Sequence, residues 1–217
     1  MKIGRYILFF GALSSLSFAV NAHPHAFVEM KNKILVENNQ LVGFSMNWVL
    51  DEASSSEMLY DLALAGEDKQ AQRKLADEMM KNIVGEHYFS YLYDQAQHKI
   101  KYTSKPRHYG LKAEGSKISY YFEFLLSQPQ TLEKNQFTLM TYDPTYYVSM
   151  YYDSPQDATS KNAVDFSALP KGCSGTIIEP NVSEQLAVYA QSLDRSQRNV
   201  DDSLGAQFAQ KVVIVCS

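Results

Sequence analysis

The stretch AFVEMKNKILVENNQLVGFSMNWVL, residues 26–50, decides the fold class. Two runs of strand-forming residues, 26–36 and 41–50, flank the polar segment Glu37-Asn38-Asn39-Gln40, which is the pattern of a β-hairpin. Alternate residues of the second run are large and apolar: Phe44, Met46, Trp48 and Leu50. Because side chains alternate between the two faces of a strand, these four predict one buried face.

Two helices are predicted directly after this hairpin. Ser54-Ser55-Ser56-Glu57 has the spacing of a capping box, and apolar residues then recur at helical spacing as far as Gly66. A second helix is predicted over residues 69–84, with Gly85 after it. The helical pair therefore forms an insertion of about residues 52–85 between strands.

The next region, residues 88–152, contains twelve of the 15 tyrosines, and this composition favours strands. We predict strands at residues 118–126, 137–142 and 145–152, the last two on either side of Asp143-Pro144. Tyrosine-rich strands can bind sugars or nucleic-acid bases. The simpler interpretation is an antiparallel sheet with tyrosine hydroxyls at its rim.

The C-terminal region adds helices and a last strand. Asn181 and Glu184 are candidate caps of a third helix, a short helical turn follows Asp201-Asp202-Ser203, and residues 212–216 form a strand. This order of elements predicts an α+β fold, with an antiparallel β-sheet or sandwich, an inserted helical pair and C-terminal helices.

The first 22 residues have the layout of a secretory signal peptide. Lys2 and Arg5 precede an apolar stretch over residues 6–19, and Ala22 supplies a small residue at the cleavage point. The alternative, a membrane anchor, needs about 20 apolar residues, and this stretch is shorter. Cleavage leaves a single domain, residues 23–217, which we expect in the periplasm with no membrane span.

Composition excludes several classes of function. The chain of 217 residues has a formal net charge of −4, which argues against a nucleic-acid partner. No phosphate-binding loop, dinucleotide fingerprint or hydrolase elbow is present, so we expect no enzyme. Cys173 and Cys216 are the two cysteines, and in an oxidising compartment a disulfide is the simplest interpretation. A redox pair or thiolate ligands are the alternatives.

The predicted new N-terminus, His23-Pro24-His25, carries the strongest chemical signal. A terminal histidine offers its α-amine and its imidazole to one metal ion, and His25 lies on the same side of an extended chain. Such donors suit zinc first and nickel or cobalt next. Copper is less favoured, because Pro24 has no amide proton to lose to a square-planar chelate. The alternative is a frayed, solvated end.

Other ligands would have to come from the rest of the chain. Asp51 follows the Trp48 strand, Asp143 lies in a predicted turn, and His108 is the best remaining imidazole. Compensation of a helix dipole explains Asp51 equally well, and an Asx-type turn explains Asp143. We therefore take His23, His25, Asp51, Asp143 and His108 as candidate metal ligands.

Several motifs occur here in one order: HPHAFV (residues 23–28), Trp48 with Asp51-Glu52, YDPTYY (142–147), Gly172-Cys173, and LGAQF (204–208) before Cys216. In this order the chain resembles a periplasmic domain-of-unknown-function family often described as a periplasmic component of an ABC-type transport system. The resemblance implies a secreted accessory protein beside a NicO-type permease for nickel or cobalt, or for zinc.

Three hypotheses follow from these features. The first is a periplasmic transition-metal-binding protein that delivers ions to the permease. The second is a metal-free binding module that docks on the permease. The third is a copper enzyme that uses the terminal histidine as a chelating brace, although no substrate motif supports it.

Overall fold

The computed structural model describes residues 24–153, 163–193 and 204–217. The predicted signal peptide, residues 1–22, and the candidate ligand His23 lie outside the described residues.

The described residues contain eleven strands and four helices. The strands are β1 (Ala26–Glu37), β2 (Gln40–Leu50), β3 (Ser90–Asp94), β4 (Lys99–Ile100), β5 (Arg107–Glu114), β6 (Lys117–Thr131), β7 (Gln136–Thr141), β8 (Val148–Tyr151), β9 (Val164–Asp165), β10 (Cys173–Ile178) and β11 (Lys211–Cys216). The helices are α1 (Glu52–Ala65), α2 (Lys69–Gly85), α3 (Glu184–Ser192) and α4 (Leu204–Phe208). The predicted α+β class, with a helical pair after the first hairpin, is confirmed.

The first sheet is built around the predicted hairpin. Its strand order is β5-β6-β2-β1-β8, and β9 also pairs with β1. Asn38 and Asn39 form the hairpin turn with φ values of 49° and 59°, the left-handed conformation that a two-residue hairpin loop requires. The pairs are antiparallel except that β8 and β9 run parallel to β1. Strand β1 is therefore hydrogen-bonded along both edges.

The second sheet has the order β10-β11-β7-β3-β4 and is antiparallel within the described residues. The strands predicted around Asp143-Pro144 are present, but the second begins at Val148 rather than at residue 145. They also lie in different sheets, since β7 belongs to the second sheet and β8 to the first. The segment between them therefore crosses from one sheet to the other. The Tyr142 amide donates to Phe89 on the second-sheet side (2.8 Å), whereas the Tyr147 carbonyl accepts from His25 at the first sheet (2.9 Å).

The inward face predicted for β2 is buried. Phe44, Met46, Trp48 and Leu50 are each no more than 9% exposed. Facing residues of the second sheet, such as Leu92 and Leu139, belong to the same core cluster. The alternation of β2 therefore marks the contact between the two sheets.

Three tyrosines are core residues rather than rim residues, so the predicted position of their hydroxyls is wrong. Tyr88, Tyr120 and Tyr152 are at most 2% exposed. The Tyr88 hydroxyl donates to the Thr103 carbonyl (2.8 Å), the Tyr120 hydroxyl donates to the Ala76 carbonyl (2.9 Å), and the Tyr152 hydroxyl accepts from Asn32. These bonds offset the cost of removing each hydroxyl from water, so the large rings can be buried.

The helix caps differ from the predicted ones by a few residues. The N-cap of α1 is Asp51 rather than Ser54, and the N-cap of α3 is Ser183 rather than Asn181. The buried Ser55 hydroxyl donates to the Leu50 carbonyl (3.2 Å) and accepts from the Ile118 amide (2.9 Å). Ser55 thereby fastens α1 to two strands of the first sheet. The predicted short helical turn is α4.

Cys173 and Cys216 form a disulfide, as predicted. They are register partners on β10 and β11, so the bridge joins the edge strand to its neighbour. A disulfide is typical of a protein in an oxidising compartment. Among the described residues, we find no helix that is both long and apolar enough to span a bilayer.

We expect the double variant Cys173→Ala/Cys216→Ala to unfold more easily than the oxidised protein. The bridge spans a sequence separation of 43 residues, for which the loop-entropy relation gives a loss of about 4 kcal/mol. Urea denaturation of the two proteins measures the difference. Equal free energies of unfolding would show that the bridge does not stabilise the fold.

Candidate functional site

His25 lies immediately before β1 with an exposed side chain. Its amide donates to the Tyr147 carbonyl (2.9 Å), and its ring contacts the Tyr147 ring with 4.8 Å between centroids. This hydrogen bond extends the parallel pairing of β1 and β8 beyond Ala26. The chain is therefore held against the sheet from residue 25 onward, which differs from the frayed end considered above.

Asp51 connects this end of β1 to helix α1. One carboxylate oxygen accepts from the Phe27 amide (2.7 Å) and from the Ser54 hydroxyl (2.8 Å). The other accepts from the Ser54 amide (2.8 Å) and so caps the helix. The backbone of Ala53 also donates to this carboxylate, so its roughly four acceptor positions are engaged by the protein. Asp51 thus lies close to the backbone two residues after His25.

Hydrogen bonds keep the Asp51 carboxyl ionised. Burial by itself raises the pKa of Asp51, but the bonds donated by the backbone of Ser54, Phe27 and Ala53 and by the Ser54 hydroxyl outweigh burial. The pKa is therefore lowered from its ordinary value of 3.8.

Asp143 is buried within the turn before β8. One carboxylate oxygen accepts from the Thr145 amide and hydroxyl (both 2.9 Å), and the other accepts from the Thr145 hydroxyl (3.0 Å) and the Val148 amide (3.0 Å). These contacts match the Asx-type turn considered as the alternative. Val148 pairs with Ala26, so Asp143 holds the start of the strand that pairs with β1.

His108 lies far from the other candidate ligands. It is on β5, separated from β1 by β6 and β2, and three strand spacings amount to about 14 Å. The strand register also separates it from His25 along the strand direction. Arg107, next to His108, is level with Lys33 of β1 across the sheet, and Lys33 is eight residues after His25. His108 Nδ1 instead contacts Glu123 Oε2 at 2.8 Å. The structure brings His25, Asp51 and Asp143 to one end of the first sheet and leaves His108 elsewhere.

The end of the sheet near His25 is rich in carboxylates. Burial raises the pKa of Tyr151, and the neighbouring carboxylates of Glu29, Asp153 and Asp51 raise it further. Lys31 lies 3.5 Å from Glu29 and neutralises part of this charge. Within the described residues no group of three histidine, cysteine or acidic side chains is placed to hold a metal ion. The candidate ligand His23 lies outside those residues.

The turn between α2 and β3 has a conformation that was not anticipated from the sequence. His87, Tyr88 and Phe89, between α2 and β3, have φ values of 51°, 58° and 49°. Three consecutive left-handed residues without glycine are unfavourable. This turn directs the Tyr88 ring into the core, where it stacks on Phe124 with 4.7 Å between centroids. The local sequence gives no sign of this conformation, because the packing of Tyr88 against Phe124, which is distant in the sequence, stabilises it.

A cavity of about 390 Å³ adjoins this turn. Its walls include Val84, Ile100 and Tyr102, and Lys99 and Lys101 also line it. The Tyr102 hydroxyl is buried without a hydrogen bond of normal geometry, and burial raises its pKa, an effect that the nearby Leu92 backbone partly opposes. The cavity has the size of a small-molecule pocket, and it lies outside the set of candidate metal ligands.

Residues 8–216 match the family described as "Protein of unknown function (DUF1007)". The chain belongs to this family. A Haemophilus influenzae protein named "Uncharacterized protein" is 56% identical over 201 residues, covering 93% of this chain and 94% of its own length. No solved structure matches the chain. The resemblance to a family of unknown function is thus confirmed, whereas its link to ABC-type transport and NicO permeases stays a prediction.

We expect Asp51→Asn to destabilise this family member by about 1–2 kcal/mol at neutral pH, because the amide nitrogen would face the Phe27 donor. The folded-state pKa of Asp51 is lowered, so its contribution to the free energy of unfolding is fully present above the ordinary pKa of 3.8. It is lost as the pH falls through the lower folded-state pKa. Denaturation across pH 2–7 measures the free energies of unfolding of the native protein and of Asp51→Asn, which should converge as the pH falls. Asp61→Asn is the control. A difference that persists at the lowest pH contradicts this assignment.

Glycine at position 87 should stabilise the protein. His87 is exposed and has a φ of 51°, which glycine adopts without steric cost, so His87→Gly should raise the free energy of unfolding by about 0.5–1 kcal/mol. Thermal denaturation measures the change. Glu86→Gly is the matched control, because Glu86 has a φ of −96° and its replacement should destabilise. Destabilisation by both variants would show that the left-handed turn is not strained.

Proposed function

We propose that this protein is a periplasmic transition-metal-binding accessory protein that supports ion transport by an inner-membrane permease. The observation that carries the proposal is the anchoring of His25 to Tyr147 beside β8, three residues after the predicted signal peptide ends at Ala22. Zinc is the first candidate ion, and nickel or cobalt comes next.

The proposed donor set contains four groups. Cleavage after Ala22 gives His23 a free α-amine beside its imidazole, and the exposed imidazole of His25 is the third donor. The Asp51 carboxylate is the fourth, and binding an ion would require it to give up one of its present hydrogen bonds. Nitrogen donors with one carboxylate suit a tetrahedral zinc site. Asp143 positions β8 in this proposal, and His108 takes no part because of its distance.

The surroundings of this site suit capture and release. The carboxylates of Glu29, Asp51 and Asp153 near Tyr151 create a negative potential that attracts cations. His25 is exposed, so an ion bound there remains accessible to a second protein. Protonation of the amine and imidazoles competes with the metal, which keeps the affinity dependent on pH.

Calorimetry with Zn²⁺ on protein that begins at His23 tests the proposal. We expect one bound ion, and at least about a 100-fold loss of affinity in His23→Ala/His25→Ala. A form with one glycine before His23 should also bind more weakly, because the α-amine is moved away from the imidazole. His98→Ala/His108→Ala is the matched control and should bind normally. Unchanged binding in the His23→Ala/His25→Ala variant contradicts the assigned ligands.

A metal-free module that docks on the permease is the second candidate function. The observation in its favour is the exposed apolar face of α1, on which Tyr60 and Leu64 are 64% and 69% exposed. Association with the permease in the presence of a chelator, unaffected by His23→Ala/His25→Ala, would favour this function over metal delivery.

A further inference from the structure

Helix α1 exposes apolar side chains on its outer face. The exposed positions 53, 56, 57, 60, 63 and 64 recur at three- and four-residue intervals, so they form one stripe along the helix. Tyr60 and Leu64 on this stripe are the two most exposed large hydrophobic side chains among the described residues. Ala53 and Ala63 continue the stripe, and we call these four residues the α1 face.

This exposure is unusual for a helix of a folded domain. An amphipathic helix turns its apolar side chains to the core, as α2 does with Ala76, Met80 and Ile83. In α1 the fully buried residue is Ser55, while Met58, Leu59 and Leu62 are half-buried. A cluster of exposed apolar side chains marks an interaction site more often than scattered single residues do.

The α1 face is bordered by carboxylates. Residues 51–68 contain six acidic residues and no lysine or arginine. Asp51 and Asp68 are N-caps. Glu57, Asp61 and Glu67 form no ion pair within the described part of the chain.

The neighbouring helix provides a contrast within the same hairpin. On α2, Asp77 lies 2.8 Å from Arg73, and Glu78 lies 3.9 Å from Lys74, each one helical turn away. The acidic residues of α2 are therefore neutralised by cations of the same helix. Among the described residues, no ion pair of this kind involves Glu57, Asp61 or Glu67.

We propose that the α1 face is a docking site for a basic amphipathic segment of a partner protein. The apolar side chains of such a segment cover Tyr60 and Leu64, and its lysine or arginine side chains meet Glu57, Asp61 and Glu67. Tyrosine is common at the centre of interfaces because it buries a large area with little loss of conformational freedom. This inference goes beyond the proposed function, since it does not depend on metal binding.

Charge complementarity favours this occupant over two others. An anionic membrane surface is repelled by the carboxylates that border the face. A second copy docked through the same face brings the acidic residues of both copies together, because a twofold contact repeats the same surface on both sides. A segment with opposite charge avoids both costs.

The test uses a fluorescent synthetic peptide of about 18 leucine and lysine residues, with its leucines on one helical face. Fluorescence anisotropy measures its binding to the full processed chain. We expect affinity to fall at least about tenfold in Tyr60→Ser/Leu64→Ser, in Glu57→Gln/Asp61→Asn/Glu67→Gln and at high salt. Val188→Ser is the matched control, because Val188 is 59% exposed on α3. All substituted residues lie at the surface, so thermal denaturation should show intact folds.

Three results would overturn the proposal. The first is equal binding of the peptide by the variants and the native chain. The second is equally tight binding of a matched peptide with glutamate in place of lysine. The third is binding to vesicles containing phosphatidylglycerol, or self-association in sedimentation, provided that Tyr60→Ser/Leu64→Ser abolishes it. Either result would assign the α1 face to a membrane or to a second copy of the chain.

Discussion

The hydrogen bonding of β1 along both of its edges determines the rest of this structure. One edge pairs with β2 in the hairpin, and the other pairs in parallel with β8 and β9. A strand held on both sides cannot fray, so the chain is fixed from His25 onward. Asp51 reinforces one edge through the Phe27 amide, and Asp143 reinforces the other through the Val148 amide.

This arrangement gives the two aspartates a structural role before any chemical one. Each carboxylate satisfies backbone amides where a strand meets a turn or a helix, and unsatisfied amides there would be costly. Asp51 accepts from Phe27 and Ser54, and Asp143 accepts from Thr145 and Val148. The proposed metal site therefore makes use of an end of the sheet that is already rigid, and rigidity lowers the cost of ordering the ligands.

Local patterns in the sequence predicted the elements but not their partners. The alternation of apolar residues in β2 predicts that Trp48 lies on the buried face, and Asn38 and Asn39 predict the hairpin turn before β2. Helix α1 was predicted with a cap three residues too late, because Ser54 matches a capping box while Asp51 reaches further as an acceptor. The crossing of β7 and β8 into different sheets leaves no local signal, since both segments are equally strand-like.

The sequence by itself determined the α+β class, the hairpin, the helical pair and the pairing of the two cysteines, because alternation, turn residues and cysteine count are local or compositional properties. Tertiary structure alone decided which candidate ligands come together. His25 and Asp51 are brought close by the β1–β2 register, and His108 is carried to the opposite edge of the same sheet. Distances between such residues depend on strand order, which arises from long-range pairing and from burial of rings such as Tyr88.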